Sequence, residues 1–142
     1  MKYLAIDLGD RRTGLALCDS QETICSPYTV LQARDRLCLR ISEIITEERI
    51  EALVIGLPLN MDGSEGSQAK KVHEFIKELS QTVSLPIHLQ DERLSSFSAR
   101  GKLTEMGLNQ KKQKGRLDAI AAAEILQAFL DTKAAGLCNG ED

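Results

Sequence analysis

The sequence of 142 residues contains no tryptophan, and only 4% of its residues are aromatic. Proteins that bind single-stranded nucleic acid by stacking bases on rings need several such side chains, so we do not expect this mode of binding. No apolar stretch approaches the roughly 20 residues of a membrane span. The N-terminus also lacks the charged and apolar segments of a signal peptide. We therefore expect no membrane partner.

Cysteine and histidine are sparse as well: the chain has Cys18, Cys25, Cys38 and Cys138, with His73 and His88. No two cysteines form a C-x-x-C pair, and both histidines lie far from them in sequence. This spacing argues against a zinc site. Unpaired cysteines in a chain without a signal peptide are typical of reduced, cytoplasmic proteins, and we predict that location.

The remaining composition is that of an ordinary globular protein, with 42% hydrophobic and 27% charged residues. A chain of this length can bury a substantial core as a single unit. We expect one domain over residues 1–133. The small and polar segment 134–142 is predicted to be a flexible C-terminal tail.

Hydrophobic periodicity predicts an alternation of strands and helices. Strands are expected over 2–8, 13–19, 24–31, 52–55 and 86–89. Four helices are expected between and after them: one capped by Asp35, one capped by Ser64 or Ser67, one from Ser95 or Ser96 to about residue 106, and one over 117–130. The segments 56–66 and 107–115 are interpreted as loops. Antiparallel strands followed by strand–helix alternation predict a mixed α/β sheet with helices on both faces.

Positive charge is concentrated in one segment of a chain whose net charge is −3. Between residues 93 and 117 there are seven basic side chains and one acid, which gives +6, whereas the other eleven basic and twenty acidic residues give −9. This segregation favours a local site for a polyanion, although a solvated helix face and loop remain an alternative. The basic residues are Arg93, Arg100, Lys102, Lys111, Lys112, Lys114 and Arg116.

Acidic side chains occur where folding alone would not place them. Asp7 ends the first strand, Asp91 and Glu92 follow a later strand, and Asp118 lies at the start of a largely apolar helix. A helix dipole would explain Asp118 without any function. If the acids converge at one edge of the sheet, however, a divalent cation such as Mg²⁺ would relieve their repulsion. Such a site could hydrolyse a phosphodiester.

Two glycine-containing turns could approach phosphates through exposed backbone. One comprises Gly9, Arg11 and Thr13; the other is the loop 56–66, which contains Gly56, Asn60 and Gly63. Neither matches a P-loop or a dinucleotide fingerprint, so tight turns remain the alternative. We interpret Arg12 as a solvated charge in the first turn.

Four segments resemble, in order, the four motif blocks of the YqgF family: "AIDLGDRRTGLALCD", "VIGLPLNMDGSEG", "QDERLSS" and "KGRLDAIAAAEILQAFL". Together they span residues 5–130. Members of this family are described as Holliday-junction resolvases, under the name RuvX, and as pre-16S rRNA nucleases. Small departures occur at Gln90, where an aromatic residue is common, and at Ser95 and Ser96, which replace threonines.

The resemblance implies an RNase H-like fold with a five-stranded mixed sheet. It implies nucleic-acid hydrolysis that depends on one or two Mg²⁺ or Mn²⁺ ions. The acids that match the motifs are Asp7, Glu92 and Asp118, with Asp91 as a second choice of ligand. Arg11 and Arg93 match basic positions that would meet phosphates.

Three classes of function stay open at this point. The first is a nuclease acting on precursor rRNA, in the context of the small ribosomal subunit precursor, or on branched DNA. The second is a nucleic-acid or ribosome-associated binding module with little turnover, which would not need the three acids. The third is one lobe of an ATPase or sugar kinase, which a chain of 142 residues is too short to complete. The oligomeric state is not specified by the sequence.

Overall fold

The chain forms a five-stranded sheet flanked by three helices in a computed structural model, which describes residues 1–32, 36–94 and 110–136. Within the last helix, side chains are described from residue 117 onwards. The strands are β1 (Tyr3–Leu8), β2 (Thr13–Cys18), β3 (Cys25–Leu31), β4 (Ala52–Leu57) and β5 (Ile87–Asp91). The helices are α1 (Leu37–Glu48), α2 (Ser67–Leu79) and α3 (Gln110–Ala134), and a single 3₁₀ turn covers Glu92–Leu94.

The sheet is mixed, as predicted, with the strand order β3-β2-β1-β4-β5. The first three strands pair antiparallel, whereas β4 is parallel to both β1 and β5. Because β1, β4 and β5 run in the same direction, their carboxyl ends meet at one edge of the sheet. Asp7, near the end of β1, therefore lies on the same edge as the residues that end β5.

Helices cover both faces of the sheet, which also confirms the prediction. On one face, side chains of α1 and α2 such as Ile41 and Phe75 bury the strand residues Leu4 and Ile6. On the other, α3 covers alternate strand residues: Tyr3, Ala5, Ala16 and Val54 contact Ile125, Leu126 and Phe129. Successive side chains of a strand point to opposite faces, so Asp7 shares the α3 face with Tyr3 and Ala5.

Helix α3 approaches the sheet closely because the strand residues beneath it are small. Ala5, Ala16 and Ala122 are fully buried between the two layers. The closest approach occurs at Gly14, where a Cβ atom would collide with the backbone carbonyl of Asp118. Gly14 is the β2 residue directly opposite Asp7. The missing side chain thus brings Asp118 to the end of β1.

Several predicted boundaries were wrong at helix starts. Gly66, in extended backbone, precedes α2, and no side chain caps that helix, so neither Ser64 nor Ser67 acts as predicted. Arg36, with a φ of 61°, precedes α1. Asp35, which was predicted to cap that helix, lies outside the described residues. The same is true of the predicted helix from Ser95 or Ser96 to about residue 106.

The predicted basic loop was wrong over residues 110–115, and so was the predicted helix start at residue 117, because the chain is helical from Gln110. Residues 107–109 of that loop lie outside the described part of the chain. Lysine and glutamine are good helix formers, so their polarity does not indicate a loop. Asp118 is consequently the ninth residue of α3 and lies beyond the first turn. The helix dipole acts within the first turn and no longer explains this acid.

The loop predicted to begin at Gly56 begins later. Gly56 and Leu57 belong to β4 and pair in parallel with Gln90 and Asp91 of β5. The glycine had suggested a turn, but here it lies within a strand where another element approaches closely. Among the described residues, no helix has the length and apolar character needed to cross a membrane.

We predict that Gly14→Ala destabilises the protein by about 2 kcal/mol or more, because the added methyl group must displace α3 from the sheet. The loss is measured as a decrease in the urea midpoint. Gly66→Ala serves as the control, since its Cβ would lie 3.2 Å from the Asn60 Oδ1 atom, a side chain that can move. Equal stability losses in the two variants would contradict the proposed close packing at Gly14.

Candidate active site

The structure brings together the three acids that the motifs singled out. Asp7 lies near the end of β1, Glu92 begins the 3₁₀ turn directly after β5, and Asp118 lies on α3. The Asp7 and Glu92 carboxyl groups are joined by a side-chain hydrogen bond, and the charge of Asp118 acts on Asp7. Three segments distant in sequence thus contribute acids to one cluster at the edge of the sheet.

Burial dominates the electrostatics of this cluster. Removal from water, reinforced by the negative charge of Asp118, raises the pKa of Asp7 to about 6. Burial, followed by the charge of Asp7, raises the pKa of Glu92 to about 8. Two carboxyl groups in a hydrogen bond must share a proton, so the pair titrates as a unit. Near neutral pH and without a cation, this pair therefore retains one proton.

Glycine makes room for Glu92 beneath α3. A Cβ atom on Gly56 would lie 2.8 Å from the Glu92 Cγ atom and 2.7 Å from the Ile125 Cδ1 atom. Both contacts are closer than packed carbon atoms tolerate. Gly56, predicted as a residue near the site, therefore acts through the space it leaves. Thr13, another predicted neighbour, is fully buried in β2 opposite Leu8.

Arg12 does not behave as the solvated turn charge that the sequence suggested. Its Nε atom donates a 2.7 Å hydrogen bond to the Asp118 Oδ2 atom, and both side chains are only about one-third exposed. The turn is tight because Gly9 has no Cβ, which would otherwise meet the Arg12 carbonyl. The motif match favours its neighbour Arg11, which is exposed in the same turn, and no local signal in the sequence shows which of the two arginines reaches α3.

Asp91 is neutralised by Arg93. The guanidinium donates to both carboxylate oxygens, at 2.7 Å from Nη2 to Oδ2 and 3.1 Å from Nε to Oδ1. This hydrogen bonding lowers the pKa of Asp91. Because Asp91 is paired with Arg93 whereas Glu92 is hydrogen-bonded to Asp7, Glu92 is the member of the acidic cluster.

Arg93 also fastens the loop after β4. Its Nη1 atom donates to the Met61 carbonyl at 3.2 Å and lies 3.5 Å from the Asn60 carbonyl. The loop closes on itself through a hydrogen bond from the Asn60 amide to the Ser64 carbonyl at 2.8 Å. Gly63, with a φ of 89°, supplies the left-handed residue that this turn requires. Because of these bonds, Arg93 is already engaged, and its contact with phosphates stays a prediction.

The structure describes the backbone position of only some of the other predicted basic residues. Lys111, Lys112, Lys114 and Arg116 lie on the first turns of α3, upstream of Asp118. Arg100 and Lys102 lie outside the described residues. The nucleic-acid contacts of all these residues stay a prediction.

The donor set fits a hard divalent cation. In the part of the chain that the structure describes, no three His, Cys, Asp or Glu side chains form a ready-made metal site. Mg²⁺, however, commonly uses one or two protein carboxylates and takes its other oxygens from water and substrate phosphate. Asp7 and Glu92 could supply that pair, while Asp118 is held by Arg12.

Comparisons with known proteins identify the family. A family model described as RuvX, Holliday junction resolvase, matches residues 1–132. The chain belongs to this family. A relative from Anaeromyxobacter sp. (strain Fw109-5) is 44% identical over 133 residues, covering 92% of this chain and 97% of its own. One from Maridesulfovibrio salexigens is 43% identical over 132 residues, covering 92% and 98%. Both carry the name "Putative pre-16S rRNA nuclease".

Solved structures confirm the RNase H-like fold. RuvC of T. thermophilus in complex with a Holliday junction aligns with a TM-score of 0.61 over 96% of this chain and 97% of its own, at 17% identity. A fowlpox virus resolvase bound to Holliday junction DNA aligns with a TM-score of 0.58 over 94% and 99%, at 11% identity. At these identities the likeness concerns the fold. The fold and family together favour the nuclease interpretation over the kinase lobe.

We predict that, in EDTA, the free energy of unfolding falls as pH rises from about 5 to 8. The raised pKa values of Asp7 and Glu92 mean that the folded state holds more protons than the unfolded state in this range, so raising the pH favours unfolding. Glu92→Gln removes one of these groups and should flatten the dependence, stabilising the protein by about 1–3 kcal/mol at the upper end. The measurement is a series of urea titrations across this range.

Asp91→Asn is the matched control for this prediction. The pKa of Asp91 is lowered by Arg93, so the group is ionised in both the folded and unfolded states over the same pH range. Its variant keeps both carboxyl groups of the pair and should retain most of the wild-type slope, losing only the smaller part that the charge of Asp91 adds by raising the pKa of Glu92. A Glu92→Gln slope equal to that of Asp91→Asn would contradict the proton sharing between Asp7 and Glu92.

Proposed function

We propose that the chain is a divalent-metal-dependent nuclease that trims the 5′ end of precursor 16S rRNA. The observation that carries the proposal is the buried, hydrogen-bonded pair of Asp7 and Glu92 with Asp118 beside it. Such a cluster is unfavourable for folding and therefore suits a functional role. The names of the most similar relatives supply the proposed RNA substrate.

The mechanism assigns distinct tasks to the three acids. Asp7 and Glu92 would hold the cation once their shared proton has left, so metal affinity should increase with pH. Asp118 would complete the site from α3. A bound Mg²⁺ or Mn²⁺ supplies the activation of water and the stabilisation of negative charge on the phosphate. No serine or histidine nucleophile is part of this assignment.

The surroundings would determine how the substrate approaches. Gly9 keeps the turn after β1 small, and Arg11 in that turn is exposed and positively charged. The lysines at the start of α3 place further positive charge upstream of Asp118 in sequence. We infer that these groups contact substrate phosphates, since such contacts would fix the orientation of the substrate without reading its sequence.

Holliday-junction resolution is the second candidate. The description of the matching family model favours it, since that model is named for this activity. Cutting two strands of a junction requires two active sites, whereas trimming one RNA end requires one. A pure binding module would need neither the cation nor the acidic cluster.

We expect purified protein to cleave precursor 16S RNA in Mg²⁺ or Mn²⁺, and Asp7→Asn to reduce the rate by at least about 100-fold through loss of the cation. A four-way DNA junction is tested side by side, and products are resolved on sequencing gels. Glu48→Gln, an acid of α1 on the other face of the sheet, serves as the control variant.

The outcomes separate the candidates. Cleavage of the junction alone would favour resolution over RNA processing. Binding without any metal-dependent cleavage of either substrate would favour the binding module. Undiminished cleavage by a folded Asp7→Asn variant would contradict the assignment of Asp7.

We also predict that the basic residues of α3 neutralise substrate phosphates. Binding to duplex nucleic acid should weaken with salt, with a slope of about 0.9 in log–log units per neutralised phosphate. Replacing Lys111, Lys112 and Lys114 together by glutamine should flatten that slope, as measured by fluorescence anisotropy. An unchanged slope would mean that this part of α3 is solvated surface.

A further inference from the structure

The ion pair between Arg12 and Asp118 places a cation on a proposed metal ligand. The Arg12 Nε atom lies 2.7 Å from the Asp118 Oδ2 atom, and the side chains are 36% and 29% exposed. A carboxylate offers about four lone pairs, so Asp118 can accept this hydrogen bond and still bind a metal ion through another. The guanidinium charge beside it nevertheless repels a divalent ion, so the ion pair weakens metal binding by Asp118.

Both ends of this ion pair are set by backbone packing. A Cβ on Gly9 would meet the Arg12 carbonyl, and a Cβ on Gly14 would meet the Asp118 carbonyl. Gly9 and Gly14 lie on either side of Arg12, in the turn after β1 and in β2. The absence of their side chains keeps the turn tight and lets β2 lie close to α3. A contact held by two close backbone approaches differs from an ordinary surface ion pair between two mobile side chains.

The remaining nitrogens of Arg12 suit a second partner. Its hydrogen bond to Asp118 uses Nε, and its two terminal nitrogens donate no hydrogen bond to any residue that the structure describes. Arginine binds phosphate through two parallel N–H groups, which adds both energy and geometric specificity. A phosphate arriving at the site could therefore take the guanidinium from Asp118.

We propose that Arg12 is a positioning residue that opposes metal binding by Asp118 until a substrate phosphate binds the guanidinium. The inference rests on the proposed nuclease function and adds an order in which the carboxylates become available to the metal. Before substrate arrives, Asp7 and Glu92 are the available carboxylates. When phosphate engages Arg12, Asp118 is released to the site.

This arrangement couples the two ligands. Nucleic acid would strengthen metal binding, and metal would strengthen nucleic-acid binding by the same factor, because a coupling free energy is reciprocal. A substrate phosphate that contacts the metal couples the two ligands in every variant. Only the part of the coupling that is lost when Arg12 is replaced distinguishes a positioning role from a structural one.

The test compares two measurements for each variant. Mn²⁺ affinity without nucleic acid is obtained from free Mn²⁺ in electron paramagnetic resonance titrations. The Mn²⁺ concentration for half-maximal cleavage is obtained at saturating precursor 16S RNA. The coupling is reported by the ratio of the Mn²⁺ dissociation constant without nucleic acid to the Mn²⁺ concentration for half-maximal cleavage.

We expect a ratio of about three or more for the wild-type protein, on the scale of a partly exposed ion pair. Arg12→Gln should bind Mn²⁺ without nucleic acid at least about threefold more tightly than wild type, and its ratio should fall by a similar factor below that of wild type. Arg12→Lys, which keeps the charge, should restore the weaker affinity. Arg40→Gln is the matched control, since it removes an arginine and its 3.3 Å ion pair with Glu43 on α1.

Equal Mn²⁺ affinity in Arg12→Gln, Arg40→Gln and wild type would overturn the proposal, as would an unchanged ratio. If thermal melting shows that Arg12→Gln is unfolded, Arg12→Met, which keeps an unbranched side chain without the charge, replaces it and should show the same tighter Mn²⁺ binding and the same lower ratio. Mn²⁺ binding without cleavage of any substrate would contradict the proposed function, while the affinities alone would still decide the competition at Asp118. Absence of Mn²⁺ binding by every variant would overturn both.

Discussion

The close approach of α3 to β2 at Gly14 is the constraint on which the site depends. A side chain at this position would push the helix outward and carry Asp118 with it. Since Gly14 lies opposite Asp7, the same contact sets the separation between the two acids. The alanines that separate α3 from the rest of the sheet continue this thin interface toward the core. The packing of α3 on the sheet therefore also determines the geometry of the acidic cluster.

The cost of this arrangement is electrostatic. Asp7 and Glu92 are removed from water beside further negative charge, and the raised pKa of each expresses that cost. The protein lowers it in two ways: Asp7 and Glu92 share a hydrogen bond, and Asp118 is paired with Arg12. Each partner, the shared proton and the guanidinium, is a substitute for the positive charge that a divalent ion would bring. These two contacts lower the electrostatic cost of folding the acidic cluster without a cation.

The arginines close to the acidic cluster make different contacts, although they occur in similar sequence contexts beside acids and turns. Arg93 neutralises Asp91 and fastens the loop after β4, so it organises the rim of the site. Arg12 contacts an acid of the cluster directly, whereas Arg11 in the same turn is exposed. The assignment follows from which carboxylate lies within reach after folding. Arginines of the same motif blocks thus differ in their surroundings: Arg93 holds a loop, Arg12 pairs with an acid of the cluster, and Arg11 is exposed.

By itself, the sequence determined the alternation of strands and helices, the mixed sheet and the three acids, because periodicity and motif order are local properties. It did not determine the start of α3, since lysine and glutamine suit both a loop and a helix, nor the place of Gly56 inside β4. Only the tertiary structure decided that Arg12 pairs with Asp118 and Arg93 with Asp91. Those choices depend on distances between segments up to 106 positions apart in the chain. Such distances arise from close packing across the sheet, which no local pattern of residues encodes.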